Sequence, residues 1–152
     1  IQKSTPRKRP SKAVKVTHFT ELGPNQKKYI EALRSGEFFR NYDDYMSVHD
    51  RFDPLGIACE LFKFDLKLLK QKIKLNDSEG FQIEVASYSG RMDMLPESVR
   101  THLAFRTCLG GNISIPNFPH LGKLHKDNKS FEEIADILSS VEGMNLYFYQ
   151  AK

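Results

Sequence analysis

"LKLLKQKIKLNDSEGFQIEVASYSG", residues 66–90, is the stretch on which the fold class turns. Its second half alternates: Phe81, Ile83 and Val85 fall on one face of an extended chain that Ser89 and Gly90 bring to an end, so a strand is expected. Its first half reads as a helix, with Leu66, Leu69 and Ile73 at helical spacing and Lys67, Lys70, Lys72 and Lys74 around them. "NDSEG", residues 76–80, then serves as the turn. A strand set among mostly helical patterns predicts an α+β fold: a compact single domain, mostly helical, with a small antiparallel sheet.

The flanking segments supply the helices. "DPLGIACELFKF", residues 53–64, is nearly all apolar, with Asp53 at its entry and Pro54 in its first turn; Leu55, Ile57, Ala58, Leu61 and Phe62 are expected to be buried. "NQKKYIEALRSG", residues 25–36, places Tyr29, Ile30 and Leu33 on one stripe, with Asn25 as N-cap and Gly36 where a helix end favours left-handed backbone. Between them, "EFFRNYDDYMSVHDRFD", residues 37–53, is aromatic-rich without a period and reads as a loop or short strands. "MDMLPESVRTHLAF", residues 92–105, starts a helix at Leu95 or Pro96 with Val99, Leu103 and His102 inward. "RTCLGGNISIPNFPHLGKL", residues 106–124, is broken by glycine and proline into loop, and "NLYFYQ", residues 145–150, reads as a short edge strand.

In "KSFEEIADILSSV", residues 129–141, Ser130 and Glu133 form a capping box, and Phe131, Ile134, Ile137, Leu138 and Val141 make an apolar stripe. The segment resembles the first helix of a DNA-reading helix-turn-helix. However, Glu132, Glu133 and Asp136 make its outer face acidic, and the residues that follow read as a strand rather than a recognition helix.

The charge is unevenly spread. Of 23 basic residues, six (Lys3, Arg7, Lys8, Arg9, Lys12 and Lys15) fall in residues 1–16 without one acid, which leaves 17 against 19 acids and turns a net +4 into a slightly acidic remainder. With Pro6 and Pro10 and little apolar surface, this segment is expected to form an extended arm. The division is a basic flexible arm over residues 1–22 and a globular domain over 23–152. An arm of this kind engages nucleic acid, an anionic surface or an acidic partner, or serves as a solubilising terminus. The chain opens at Ile1, so a processed leader or propeptide stays open. A mean hydropathy of -0.50 and the lack of a long uncharged apolar run argue against a membrane span. Cys59 and Cys108, far apart and outside any Cys-x-x-Cys pair, read as reduced thiols of a reducing compartment.

Four blocks in order, "YIEALRSGEF", "LGIACELF", "LPESVRTHLAF" and "LGKLHKDNKSFEEIADIL", resemble a family of small bacterial and bacteriophage proteins. The matching positions are Ala32 to Gly36, then Leu55, Gly56, Cys59, Glu60 and Leu61. Leu95, Pro96 and Val99 follow, and last Ser130, Phe131, Glu133, Ile134, Ala135 and Asp136. The resemblance implies packing and capping roles for these residues and names no reaction. Tyr29 stands where the family pattern has Trp, and His125-Lys126 where it has Asn-Asp; the basic arm and the lysine-rich insertion are additions that imply a member built into a larger assembly.

Catalytic constellations are sparse. "HDRFD" groups His49, Asp50 and Asp53, and His120 lies close to His125, but neither shows the spacing of a metal site, so no metal or cofactor is expected. Cys59 lies on an apolar helix, as a small buried hydrophobe does. "CLGGN" lacks the frame of a phosphate loop, and the Asp43-Asp44 and Glu132-Glu133 pairs read as solvated surface or helix-start charge. Phe38, Phe39, Tyr42 and Tyr45, interleaved with Arg40, suggest a protein-contact patch or a stacking surface.

The expectation is a non-enzymatic binding or structural protein, cytoplasmic or virion-associated, that docks a larger protein assembly through its globular domain and an anionic surface through its arm. One alternative is a nucleic-acid-binding regulator using the arm plus Lys67, Lys70, Lys72 and Lys74; another is a small hydrolase centred on Cys59 or on His49 and Asp50.

Overall fold

A computed structural model describes residues 18–74 and 82–150. Helix α1 (Pro24–Arg34) begins two residues earlier than the Asn25 cap would place it: Gly23 is the N-cap, its N–H donating to Gln26 Oε1 at 2.8 Å. Pro24, whose fixed φ suits the first helical position, sets that start. Gly36 adopts φ +77° just past the helix end, as expected. Helix α2 (Pro54–Leu61) is entered as the sequence predicts, the Asp53 carboxylate accepting from Gly56 N at 2.8 Å. Leu55, Ile57, Ala58 and Cys59 are all buried.

The 37–53 segment holds two short strands, β1 (Ser47–Val48) and β2 (Arg51–Phe52), paired Ser47↔Phe52 and Val48↔Arg51. Their two-residue loop is His49-Asp50, with φ at 53° and 59°. Both central residues of a type I′ turn need positive φ, a conformation that His and Asp tolerate but do not advertise.

The lysine-rich insertion corrects the sequence reading. Residues Leu68–Lys74 form strand β3, not a helix, and pair antiparallel with β4 (Gln82–Tyr88) in unbroken register from Leu68↔Tyr88 to Lys74↔Gln82. A Leu/Lys stretch has ample helix propensity, but β4 on this side needs hydrogen-bond partners, and a helical stripe here would face no core: Leu69 is 54% exposed. The expected turn at residues 76–80 and Phe81 lie outside the described residues. Ile83 and Val85 are buried on one face, as the alternation predicts. The sheet order is β2-β1-β4-β3, with β3 at the edge.

Four more differences concern the C-terminal half. Helix α3 (Glu97–Leu103) buries Val99 and Leu103, but His102 faces out and stacks on Phe62 at 5.3 Å. The end of the expected loop is helix α4 (Leu121–Lys126), started by His120, whose Nδ1 accepts from Lys123 N at 3.2 Å. Helix α5 (Phe131–Ser139) carries the predicted capping box, Ser130 N to Glu133 Oε1 at 2.8 Å and Glu133 N to Ser130 Oγ at 3.0 Å. The expected edge strand at 145–150 is mostly helix α6 (Val141–Tyr147), with only Phe148 bridging Phe105. Ser140 ends α5 and caps α6, its Oγ accepting from Gly143 N at 3.0 Å; Val141 opens α6 and stays 48% exposed instead of joining the α5 stripe.

The protein is therefore α+β, with six helices and a four-stranded antiparallel sheet among the described residues. All six helices contribute to the main core with Tyr88 and Ala86 of the sheet, and Val48, Ile83 and Val85 form a smaller cluster on its other face. At the N-terminal edge, Phe19, placed in the arm by sequence, is buried and exchanges hydrogen bonds with the Asn145 amide, 3.0 and 2.7 Å. No described helix is long and apolar enough to cross a membrane.

Candidate functional site

The residues that could act on a partner converge on the 37–53 segment and the helix ends that brace it. Its organiser is Asn41, which the sequence reading passed over. Buried at 3% exposure, Asn41 donates from Nδ2 to Tyr45 O at 2.9 Å and accepts at Oδ1 from Asp43 N at 3.2 Å. Its main-chain N–H bonds Phe52 O at 3.0 Å, and its carbonyl takes the ring Nε2 of His125 at 2.8 Å. The signal in the sequence is the Asn-x-Asp spacing of a side chain that bonds its own backbone two residues on.

Around this hub the four aromatics of the expected patch divide. Phe38 turns in and meets Phe52 edge-on at 5.5 Å, and Tyr45 packs on the Val48–Ile83–Val85 cluster. Phe39 and Tyr42 turn out, 65% and 82% exposed, with the Arg51 guanidinium over the first ring and that of Arg40 over the second, each 5.6 Å from the centroid. Arg40 is itself anchored, donating to Lys129 O at 2.7 Å and to His125 O. The guanidinium on Tyr42 is thus held in place by the α4–α5 connection.

Next to this face lies a cavity of about 340 Å³ lined by Asp43, Asp44, Asp53, Asp93, His120, His125, Lys123 and Lys126, with Leu55 and Leu109 as its apolar wall. An adjoining recess of about 300 Å³ shares Asp43, Asp44, His125 and Lys126 and adds Arg40, Asn41 and Tyr42. Asp44 pairs with Lys126 at 2.8 Å across the rim. Burial pushes the Asp53 carboxyl up to about 7, against the first-turn amides of α2, which favour its charged form. Burial lowers both histidines; Lys126 and Lys123 add to the effect on His120, and Arg40 on His125, where the Asn41 bond opposes it. Asp53 can therefore exchange a proton near neutrality, but among the described residues no histidine ring nitrogen hydrogen-bonds a serine, threonine or cysteine.

The residues of the hydrolase alternative do not come together as a nucleophile and base. Cys59 is fully buried beside Met46, and burial, with Asp53 and Glu60 nearby, raises its thiol pKa, whereas an attacking cysteine needs it lowered. Asp50 pairs with Lys70 at 3.0 Å, and His49 meets the backbone of Glu84. Among the described residues no group of three or more His, Cys, Asp or Glu is placed to hold a metal ion.

The lysines divide by position. Lys70, Lys72 and Lys74 alternate along β3 and share one face, all exposed, and Lys67 precedes the strand. Lys3, Arg7, Lys8, Arg9, Lys12 and Lys15 lie outside the described residues. For the helix-turn-helix reading, the structure supplies the second helix the sequence hid, yet α6 is packed rather than presented: Met144 and Tyr147 are buried, and the Asn145 side chain is committed to Phe19. The outer face of α5 stays acidic, with Asp136 paired to Arg34 at 2.8 Å. Comparison of the chain with protein-family models, with curated proteins and with solved structures returns no match.

Proposed function

We propose that this chain is a non-enzymatic binding protein that docks on a larger protein assembly through the face of Phe39, Arg40, Tyr42 and Arg51, while its basic arm engages an anionic surface. The observation that carries the reading is the pair of exposed aromatic rings, each covered by an arginine on a braced loop. Aromatics and arginine are the residues that dominate the energetics of protein interfaces, and a rigid loop loses little entropy on docking. The bacterial or bacteriophage setting rests on the four ordered sequence blocks, and a cytoplasmic or virion location on the two unpaired thiols.

A second reading, a nucleic-acid-binding regulator, is favoured by the six cations of the arm and by a Tyr42–Arg40 surface on which a base can stack. One comparison separates the two. The full chain, a chain starting at Thr17, and a Phe39→Ser/Tyr42→Ser variant are each tested for retention on assemblies fractionated from the native source, and for binding random single- and double-stranded nucleic acid across a salt series. Docking lost in the double variant but kept without the arm supports the proposal. Docking untouched by the double variant overturns it, and steep salt-dependent binding lost with the arm moves the second reading ahead.

A further inference from the structure

The edge of the sheet is a second place for a partner. Strand β3 pairs with β4 over seven residues, and among the described residues its other side has no strand. Strand β1 meets β4 at Val48↔Val85, with His49 N adding a bond to Glu84 O, so beyond Glu84 the sheet is a two-stranded ribbon. An open edge presents alternating N–H and C=O groups whose full complement is another polypeptide backbone.

The side chains say what kind. With a period of two, Lys70, Lys72 and Lys74 form one row about 6.8 Å apart, and Leu69, Gln71 and Ile73 the other. Lys70 pairs with Asp50, while Lys72 and Lys74 form no ion pair among the described residues. On the opposite row Leu69 is 54% exposed and Ile73 half-buried. We infer that β3 accepts an extended acidic segment of a partner protein as a fifth strand, with acidic side chains at alternate positions beside the lysine row and apolar ones beside Leu69 and Ile73. A phosphate backbone would match the lysines but leave the carbonyls of the edge without donors. This proposal does not depend on the Phe39–Tyr42 face.

The test uses the full chain and a seven-residue peptide alternating Glu and Val, read by amide hydrogen exchange and by peptide titration. The expected result is slowed exchange in β3, affinity that falls with salt, and binding weakened about tenfold or more by Lys72→Glu/Lys74→Glu. Both side chains are exposed, so an unchanged far-UV spectrum is expected, and the milder Lys72→Gln/Lys74→Gln variant should fall between. The same peptide N-methylated at alternate residues should lose its binding. Equal binding of the methylated peptide, preferential binding of oligothymidylate at the same lysines, or unaltered β3 exchange at saturating peptide each overturns the inference. In the last case the lysines only guard the edge against aggregation.

Discussion

His125 donates from its ring Nε2 to the main-chain carbonyl of Asn41 at 2.8 Å, fastening helix α4 to the aromatic loop. A carbonyl only accepts, so Nε2 carries the proton and the buried Nδ1 is a lone pair with no partner among the described residues. Protonating the ring puts a charge in a buried place next to Arg40, and burial accordingly holds the His125 pKa below its ordinary value. The folded state binds this proton less readily than the unfolded chain, so the stability it contributes is present above about pH 6.5 and lost as the pH falls below that. Histidine NMR titration should place the His125 midpoint below 6.5, and a midpoint at or above it would contradict the geometry.

Asn41→Ala removes the side chain that ties residues 41–46 together and strands the Tyr45 carbonyl and the Asp43 amide. The expected cost is about 2–4 kcal/mol in denaturant unfolding, from lost hydrogen bonds and unsatisfied buried groups. A loss under ~0.5 kcal/mol would mean that the loop is held by other contacts.

Asp53→Asn keeps an acceptor for the Gly56 amide and removes the titration. With its carboxyl pushed up to about 7 by burial, folded Asp53 holds its proton more tightly than the unfolded chain. Its stabilisation is thus full below about pH 4 and lost as the pH climbs to 7. Relative to wild type, the variant should gain stability through that window and level off above it, by about 1–3 kcal/mol. Equal stability differences at pH 4.5 and pH 8 would refute the assignment.

Two glycines are fixed by close approach of main chain. A Cβ on Gly56 would lie 2.1 Å from Met46 O, and one on Gly143 1.7 Å from Ile137 O. Each alanine variant should cost about 3 kcal/mol or more, because the obstructing atoms are backbone. Gly36, left-handed but in open space, should accept asparagine with little loss in thermal unfolding.

Thiol labelling of the native protein should modify Cys108 alone. Its half-buried thiol is raised by burial and by Glu97, so labelling should quicken with rising pH. Cys59, completely buried, should react only at the rate of unfolding. Rapid native labelling of Cys59 would reopen a nucleophilic role for it.

Local chemistry was readable where a single residue type decides the outcome. The Ser130–Glu133 box, the Asp53-Pro54 helix start, Gly36 and the alternation of Ile83 and Val85 all appear where their side chains dictate. What stayed hidden depends on distant partners. The lysine stretch became a strand because β4 lay beside it, and "NLY" became a helix because Ser140 caps α6 directly after α5. The candidate face was half legible: aromatic richness marked the segment, but which rings face out depends on distant contacts such as the Asn41–His125 bond, 84 positions apart, and the packing of Tyr45 on the Ile83 cluster.

Helix α1 takes one buried hydrogen bond from nearby in the chain, Tyr29 to Pro54 O at 2.6 Å, and its other long-range anchors come late. Gln26 donates to Leu103 O at 2.9 Å, Asn25 to His102 O, and Arg34 reaches Asp136, while Phe19 just before the helix leans on Asn145, separations of 77 to 126 positions. On a translating ribosome the first helix emerges long before any of these anchors exist. At synthesis rates of roughly 5–20 residues per second the delay is several seconds, during which α2, whose Pro54 carbonyl accepts from the Tyr29 hydroxyl, is the one described helix available to cover Tyr29, Ile30 and Leu33. Nascent chains halted before residue 100 should therefore be captured by chaperones, and those extended past Gln150 should escape them.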